Sequence, residues 1–455
     1  MLGNSPDQHQ LNLLEPTLPY MVRKDDIFVL LAKAIPWKDI QNRFQKLYSS
    51  RGAPSHPIRK MVGLLLLQHM DQHSDESAVE TWKHNIYWQY FCGEVLHTTQ
   101  QPCAASDLVH FRKRIGKEGI DYLFSLSVQL HKTKIAKAKE VIVDTTVQES
   151  KTTFPTDAKL YKKVIERCNV IAKKSKVTLR QSYRFVAQSL FYLQRYAHIP
   201  QHAKKAKSAL RRLRTIAGRQ VRDLVRKLTL VNKVDVYASV IAIMERIVEQ
   251  KRTDKGKVYS LHAPEVSCIA KGKVHKKYEF GSKVSIATLP GSNVVVGVET
   301  FQGNPHDSKT LLPSLERIKD MFDKTFSRAL VDRGYRGCKK VCGSEVILPG
   351  GCKSEKPYEK RLHKLRCRRR SAVEAVIGHL KSDHKLGLNC LKGTVGAEMN
   401  ALLSGMGFNL KLFMREISLC VCDCVNVLVT QVGKLLGWRL ESCWCLTPLG
   451  DRGNF

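Results

Sequence analysis

The chain has 455 residues, 43% of them apolar, so it is long enough for two or three globular domains. Lysine and arginine (76) outnumber aspartate and glutamate (41), which gives a formal net charge of +35. Because self-repulsion on this scale opposes compaction, we expect a polyanionic partner, and nucleic acid fits better than an anionic membrane. The most apolar stretch, residues 417–436, contains several polar side chains, so it predicts no membrane span.

The fourteen cysteines are too dilute for a disulfide scaffold, and the absence of a Cys-x-x-Cys pair argues against a zinc ribbon. Five of them are clustered near the C-terminus, and we interpret these as buried or free thiols rather than a thiolate metal site: Cys420, Cys422, Cys424, Cys443 and Cys445. Residues 1–14 lack the basic and apolar pattern of a secretory signal. We therefore expect a cytoplasmic protein.

Two N-terminal regions differ in pattern. Residues 1–55 are polar and interrupted by prolines, which predicts an arm with one short helix at 25–34. Residues 56–135 predict a helical domain, with an apolar helix after Pro57, a second helix with a capping box at 77–80, and a third helix from 106 to Gly116. We interpret the third helix as a DNA-end-binding element, the alternative being a solvated basic face, because of four surface cations: Arg112, Lys113, Arg114 and Lys117.

The segment 140–147 predicts a buried strand, because three branched apolar residues are followed by Asp144 at or near its polar end. A buried carboxylate is costly unless it is paired or binds a metal. Judged alone, Asp144 could equally be a turn or cap residue.

Residues 156–265 predict a helical insertion after this first strand. Within 204–230, apolar residues keep helical spacing beneath a surface whose only acid is Asp223. We predict that this surface contacts the DNA backbone, the alternative being a solvated face, through ten cations: Lys204, Lys205, Lys207, Arg211, Arg212, Arg214, Arg219, Arg222, Arg226 and Lys227.

Further strands are predicted at 280–289 and 293–301, joined by a turn at 290–293. Asp307 is a candidate N-cap for the next helix. A short apolar strand from 328 then ends in Asp332, and another strand is predicted at 345–349. This order predicts an α/β domain over 136–415, interrupted by the helical insertion, with a cysteine-rich tail of no assigned role at 416–455.

A basic loop at 353–370 leads into a predicted helix at 366–384. This helix places Arg370, Glu374 and Lys381 within about 40° of one another beside an apolar stripe. The face could equally be an ordinary salt-bridge face. If the strands carrying Asp144 and Asp332 are neighbours, their carboxylates fall roughly 5–10 Å apart. Together with Glu374 they would suit two Mg²⁺ or Mn²⁺ ions in a phosphodiester displacement.

Five motifs carry a family resemblance: Val-Asp-Thr-Thr around Asp144, the eight residues 278–285, Gly-Asn-Pro-His-Asp ending at Asp307, Asp-Arg-Gly-Tyr-Arg-Gly from Asp332, and the Arg-x3-Glu-x6-Lys pattern that starts at Arg370. With these motifs the chain resembles bacterial insertion-sequence transposases of the DDE class, most closely insertion-sequence family five, which have an RNase H-like catalytic domain. The resemblance implies a metal-binding triad of Asp144, Asp332 and Glu374. It also implies DNA contacts by Tyr335, Arg370 and Lys381, to which we add His384.

The expected activity is cleavage and strand transfer at the ends of a mobile element, on a chain that pairs two DNA ends as a homodimer in the bacterial nucleoid region. Two alternatives remain at this point. One is an RNase H-like nuclease that cuts without joining, and the other is a catalytically inactive DNA-binding descendant.

Overall fold

The computed structural model describes residues 17–251, 253–270, 277–337, 339–350 and 356–435, apart from the side chains of 421–435. The chain divides into two compact units. The first takes in residues 1–119, 126–132 and 406–455, and the second takes in 120–125 and 133–405. Within the described ranges, no helix has both the length and the apolar character needed to cross a membrane.

The first unit is helical. Its helices are α1 (Leu18–Met21), α2 (Ile27–Ala34), α3 (Trp37–Gln45), α4 (Ile58–Met70), α5 (Asp75–His84), α6 (Ile86–Phe91), both ends of α7 (Ala105–Gln129) and the part of a last long helix from residue 406 to 435. The segment predicted to carry one helix thus carries three between residues 17 and 45. Helix α4 is buried along almost its whole length, which agrees with its apolar pattern on all sides.

Helix α7 changes direction at Gly116, whose φ of 61° and ψ of −168° are not helical. The predicted end of the third helix at Gly116 is confirmed, although a second helical segment follows directly. The predicted exposure of Arg112 is wrong. Its guanidinium is buried and ion-paired with Asp75, where Nη1 donates to Oδ1 at 2.9 Å, while Lys113 and Arg114 are exposed.

Two predicted helix caps are also wrong. Helix α5 begins one turn earlier than predicted, with Ser74 as the N-cap and Ser77 completing the capping box. Helix α13 (Asp307–Phe322) is capped by His306, whose Nδ1 lies 3.4 Å from the backbone nitrogen of Ser308. Asp307 is therefore the first residue of the helix, and its carboxylate is left to interact elsewhere.

The second unit contains a mixed sheet. Its strands are β1 (Glu140–Ser150), β2 (Ser267–Ala270), β3 (Tyr278–Thr288), β4 (Val295–Phe301), β5 (Arg328–Leu330), β6 (Lys340–Val341), β7 (Ser344–Ile347) and β8 (Leu388–Asn389). Strand β3 is antiparallel to β1, β2 and β4, whereas β5 and β8 are parallel to β1 and β7 is parallel to β5. Strand β6 closes the edge antiparallel to β7. The path β4–β3–β1–β5–β7, flanked by helices, is consistent with the expected RNase H-like fold.

Strand β1 extends further than predicted, so Asp144 lies in its middle rather than at its end. Pairing with β3 continues from Ile142 to Glu149, which keeps the chain extended past Asp144. On the other side of β1, pairing with β5 stops at Ile142. Asp144 therefore lies just beyond the point where β5, the parallel neighbour of β1, ends.

The remaining helices are α8 (Lys132–Lys137), α9 (Asp157–Ser175), α10 (Arg184–Leu193), α11 (Pro200–Leu230), α12 (Val234–Glu249), α13, α14 (Pro357–Arg370), α15 (Ala372–Ser382) and α16 (Gly393–Leu435). Helices α9 to α12 follow β1 and share an apolar cluster that includes Leu213, Ile216 and Leu224 of α11. Helix α16 runs without interruption past residue 416, where the sequence had suggested a separate tail. Cys420 is exposed, and the other four clustered cysteines lie outside the described side chains.

The segment that leads to Glu374 differs from the prediction in two ways. Most of the predicted basic loop is helix α14, and the predicted single helix is broken at Ser371 between α14 and α15. Helix α14 buries no side chain. Its arginines, lysines and leucines favour helix without tertiary packing, which explains a helix where charge alone suggested a loop.

Candidate active site

Asp144 and Asp332 lie next to each other across two parallel strands. Ile142 of β1 is in register with Leu330 of β5, and each aspartate follows two residues later. Asp332 caps a short 3-10 helix by accepting a hydrogen bond from the backbone N–H of Gly334. The prediction that the strands leading to Asp144 and Asp332 are neighbours is confirmed.

Glu374 is joined to Asp144 through Arg370. Arg370 Nη1 is 3.8 Å from Asp144 Oδ2, and Arg370 Nη2 is 3.7 Å from Glu374 Oε1. Arg370 is mostly buried, but 68% of the Glu374 side chain is exposed. One guanidinium thus lies between two acids of the predicted triad, even though they are far apart in sequence.

Helix α14 is tied to the sheet near this point by Glu140, the first residue of β1. Glu140 Oε1 accepts a hydrogen bond from Arg366 Nε at 2.7 Å and lies 3.4 Å from Arg328 Nη1 of β5. This ion pair fixes α14 to the sheet, and the start of α15 is held by Val373, which packs against Ile142 and Leu330.

The acids carry hard oxygen donors of the kind that bind Mg²⁺ or Mn²⁺. Burial raises the pKa of Asp144 to about 6, and the Asp332 and Asp307 carboxylates contribute to this shift against the lowering effect of Arg370. A divalent cation would relieve this concentration of negative charge, so the donor chemistry fits a metal. In the described part of the chain, however, no group of three Asp, Glu, His or Cys side chains is yet close enough to hold one ion. Arg370 lies between Asp144 and Glu374, and Asp307, which is held by Lys283 and Thr145, does not complete such a group with Asp144 and Asp332 either.

The remaining predicted site residues take different positions. Tyr335 is fully buried beside the aspartates, and His384 is 3% exposed. Neither position suits the DNA contact expected from the resemblance, since a buried side chain offers no surface to a partner. Lys381 is half-buried on α15, about two turns beyond Glu374.

Asp307 is a site residue that the sequence reasoning missed. Its Oδ1 accepts a hydrogen bond from Thr145 Oγ1 at 2.7 Å and is 2.6 Å from Lys283 Nζ. The pKa of Asp307 is lowered, because these two partners together outweigh its burial. The signal was present, since all three residues belong to motifs that carry the family resemblance, but Asp307 was interpreted only as a helix cap.

The cationic surface of the insertion is a single helix, α11, of 31 residues. The cations on this surface are exposed, except Lys227, which is half-buried. Arg214 is already engaged, because its Nε donates to the carbonyl of Val248 at 2.7 Å and its Nη2 to the carbonyl of Glu249 at 3.0 Å. Asp223 accepts a hydrogen bond from the backbone N–H of Arg180 and lies 3.8 Å from Arg226 Nη2.

Comparison with known families agrees with this geometry. Residues 17–114 match a family described as a transposase domain (DUF772), and residues 249–410 match a family described as a transposase DDE domain. The second match contains Lys283, Asp307, Asp332 and Glu374, whereas Asp144 lies between the two matched stretches.

A protein of Rhizobium meliloti, described as an uncharacterized protein ORF8 in the nfe locus, is 36% identical over 206 residues. That alignment covers 44% of this chain and all of the relative. No solved structure matches the chain significantly.

The fold, the paired acids and the two matches define an enzyme of phosphodiester chemistry that cleaves nucleic acid and transfers strands. The chain belongs to the insertion-sequence DDE transposases.

Proposed function

We propose that Asp144, Asp332 and Glu374 are the catalytic triad of this transposase, and that they bind two Mg²⁺ or Mn²⁺ ions during cleavage and strand transfer. The observation that carries this proposal is that Asp144 and Asp332 each lie two residues beyond the registered pair Ile142 and Leu330, together with the Arg370 link to Glu374. Bound divalent ions would activate the attacking oxygen and stabilise the leaving oxygen of an in-line displacement.

The side chains of the site then divide into two groups. Asp144 and Asp332 are fixed by the sheet and by the turn that follows β5, so they form the rigid part of the site. Glu374 is exposed and must approach them, which requires Arg370 to leave the space between the carboxylates. A DNA phosphate is a suitable new partner for that guanidinium.

We further propose that α11 binds the phosphate backbone near the element ends, and that the protein acts as a homodimer that pairs two ends. The charge of α11 supports the first part, because a dense row of exposed cations is costly without a polyanion nearby. Membership of insertion-sequence family five, suggested by the sequence motifs, belongs to the same proposal.

The test uses full-length protein, Mg²⁺ and DNA that carries the terminal repeats flanking the gene. Asp332→Asn should reduce cleavage by roughly 10³-fold or more while leaving end binding nearly unchanged. Asp320→Asn is the matched control, since Asp320 is an exposed aspartate on α13. Normal cleavage by Asp332→Asn would overturn the triad. Cleavage without insertion into a target plasmid would instead identify a nuclease.

A further inference from the structure

Helix α14 carries its cations on two different faces. Arg366 and Arg370 are partly buried, and their guanidinium groups are paired with Glu140 and Asp144. Four further cations fall on the other side of the helix, within about 100° of one another at 100° per residue. These residues, which we call the outer row, are Lys360, Arg361, Lys364 and Arg368.

The outer row has no acidic partner within the described part of the chain. All four of its side chains are exposed, and none forms an ion pair with a described acid. The single acid of the helix, Glu359, lies 3.9 Å from Lys356 instead. Like charges at i and i+4, such as Lys360 and Lys364, destabilise a helix. The row is therefore costly unless an anion binds to it.

Packing does not account for the outer row either. In helix α11 the cations lie above a buried apolar face, so a solvated surface alone could explain part of their distribution. Helix α14 buries no side chain and has no such face. A repeated positive charge on a helix without a packing face indicates a polyanion as its partner.

The position of the helix indicates which polyanion this is. Arg370, the last residue of α14, has its Nη1 atom 3.8 Å from Asp144 Oδ2. A DNA phosphate that reaches Asp144 must therefore also reach the C-terminal end of α14. The Arg366 to Glu140 hydrogen bond of 2.7 Å fixes the helix to the sheet, so the outer row keeps its place relative to the acids.

The length of the outer row sets the stretch of DNA that it can contact. Measured along the helix axis from Arg370, the row extends from Arg368 at about 3 Å to Lys360 at about 15 Å. Each DNA strand rises about 3.4 Å per nucleotide. A backbone that lies along the helix is thus within reach of the row over about four nucleotides.

We propose that the outer row of α14 binds the DNA phosphate backbone within about four nucleotides of the scissile phosphate. Lysine and arginine contacts to phosphates fix the position of a duplex but carry no sequence information. The row therefore holds DNA of any sequence beside the catalytic acids. This inference rests on the proposed function, because it takes Asp144 as the position of the scissile phosphate, and it adds a second DNA-binding helix to α11.

The test measures binding of the full-length protein to DNA that carries a terminal repeat and its flanking sequence, in EDTA to prevent cleavage. Replacing Lys364 and Arg368 together by glutamine should reduce the slope of log affinity against log salt by about two. Because both side chains are exposed, the Tm should stay unchanged. The matched control replaces Lys173 and Lys174 by glutamine, which removes the same charge from exposed positions of α9.

Uncharged methylphosphonates locate the contact. Placed within about four nucleotides of the cleaved bond, they should weaken binding by the wild type and by the α9 control, but should not weaken binding by the α14 variant further. An unchanged salt slope for the α14 variant, or a wild-type response of that variant to these methylphosphonates, would overturn the proposal. Loss of the response only at phosphates more distant from the cleaved bond would overturn it as well.

The two proposals fail separately. Binding in EDTA involves no metal, so its outcome does not depend on the catalytic triad. Normal cleavage by Asp332→Asn would remove the triad, whereas normal DNA binding by the α14 variant would remove only the role of the outer row.

Discussion

Asp144 and Asp332 each lie two residues beyond Ile142 and Leu330, a registered pair on parallel strands, although 188 positions separate the two aspartates. The hydrogen bonds of the sheet fix this register. Their proximity therefore does not depend on a flexible loop, and the site can tolerate the mutual repulsion of its acids.

Repulsion and burial at Asp144 make the metal-free site a source of instability. Burial raises the pKa of Asp144 to about 6, so above about pH 6 the folded protein holds an ionised carboxylate that burial destabilises. We expect Asp144→Asn to increase the free energy of unfolding by about 1–2 kcal/mol in EDTA at pH 8. Thermal melts against an Asp320→Asn control measure this effect.

The sign of the pH effect follows from the same shift. The stability cost of ionised Asp144 is present above about pH 6 and disappears as the pH falls from 6 towards the ordinary aspartate pKa. The Tm difference between wild type and Asp144→Asn should therefore shrink as the pH is lowered to 4. A difference that stays constant across this range would contradict the assignment of the shift to Asp144.

The titration of Asp144 should also appear in the pH dependence of metal-dependent cleavage. Protons and divalent ions compete for Asp144, so at limiting Mg²⁺ the cleavage rate should fall as the pH drops through about 6. Raising the Mg²⁺ concentration should move this acid limb to lower pH. If the pH of this acid limb does not change with the Mg²⁺ concentration, another group controls it.

Arg370 should oppose metal binding before DNA arrives, because its guanidinium is ion-paired with both Asp144 and Glu374. We expect Arg370→Gln to strengthen Mn²⁺ binding by the DNA-free protein about two- to fivefold, a size typical of a partly exposed ion pair. The same variant should cleave DNA poorly. Arg369→Gln removes an exposed charge one residue away and serves as the control. Weaker Mn²⁺ binding by Arg370→Gln would refute this competition.

The exposed cations of α11 should determine the salt dependence of DNA binding. Replacing Arg211 and Arg219 together by glutamine should reduce the slope of log affinity against log salt by about two. Arg214→Gln should behave differently, since Arg214 donates to two backbone carbonyls near the end of α12. Arg214→Gln is expected to lower the Tm. If Arg214→Gln and the double change have equal effects on both the Tm and the salt slope, this distinction is contradicted.

The sequence by itself determined the parts of this protein that depend on local pattern. The run of branched apolar residues before Asp144, the turn at 290–293 and the amphipathic spacing of α11 all produced the predicted elements. The break at Gly116 was also readable, because glycine adopts a positive φ without strain. The net charge also indicated a nucleic-acid partner from the sequence alone, because net charge is a sum over residues and does not depend on the fold.

Only the tertiary structure decided which side chains meet. Asp307 has the local pattern of a helix cap and Arg112 that of a surface cation, yet the first faces Asp332 across Gly334 and the second is buried against Asp75. Such contacts depend on strand register and helix packing between residues far apart in the chain. The sequence could therefore name the acids of the site, but the sheet determined which of them share one space.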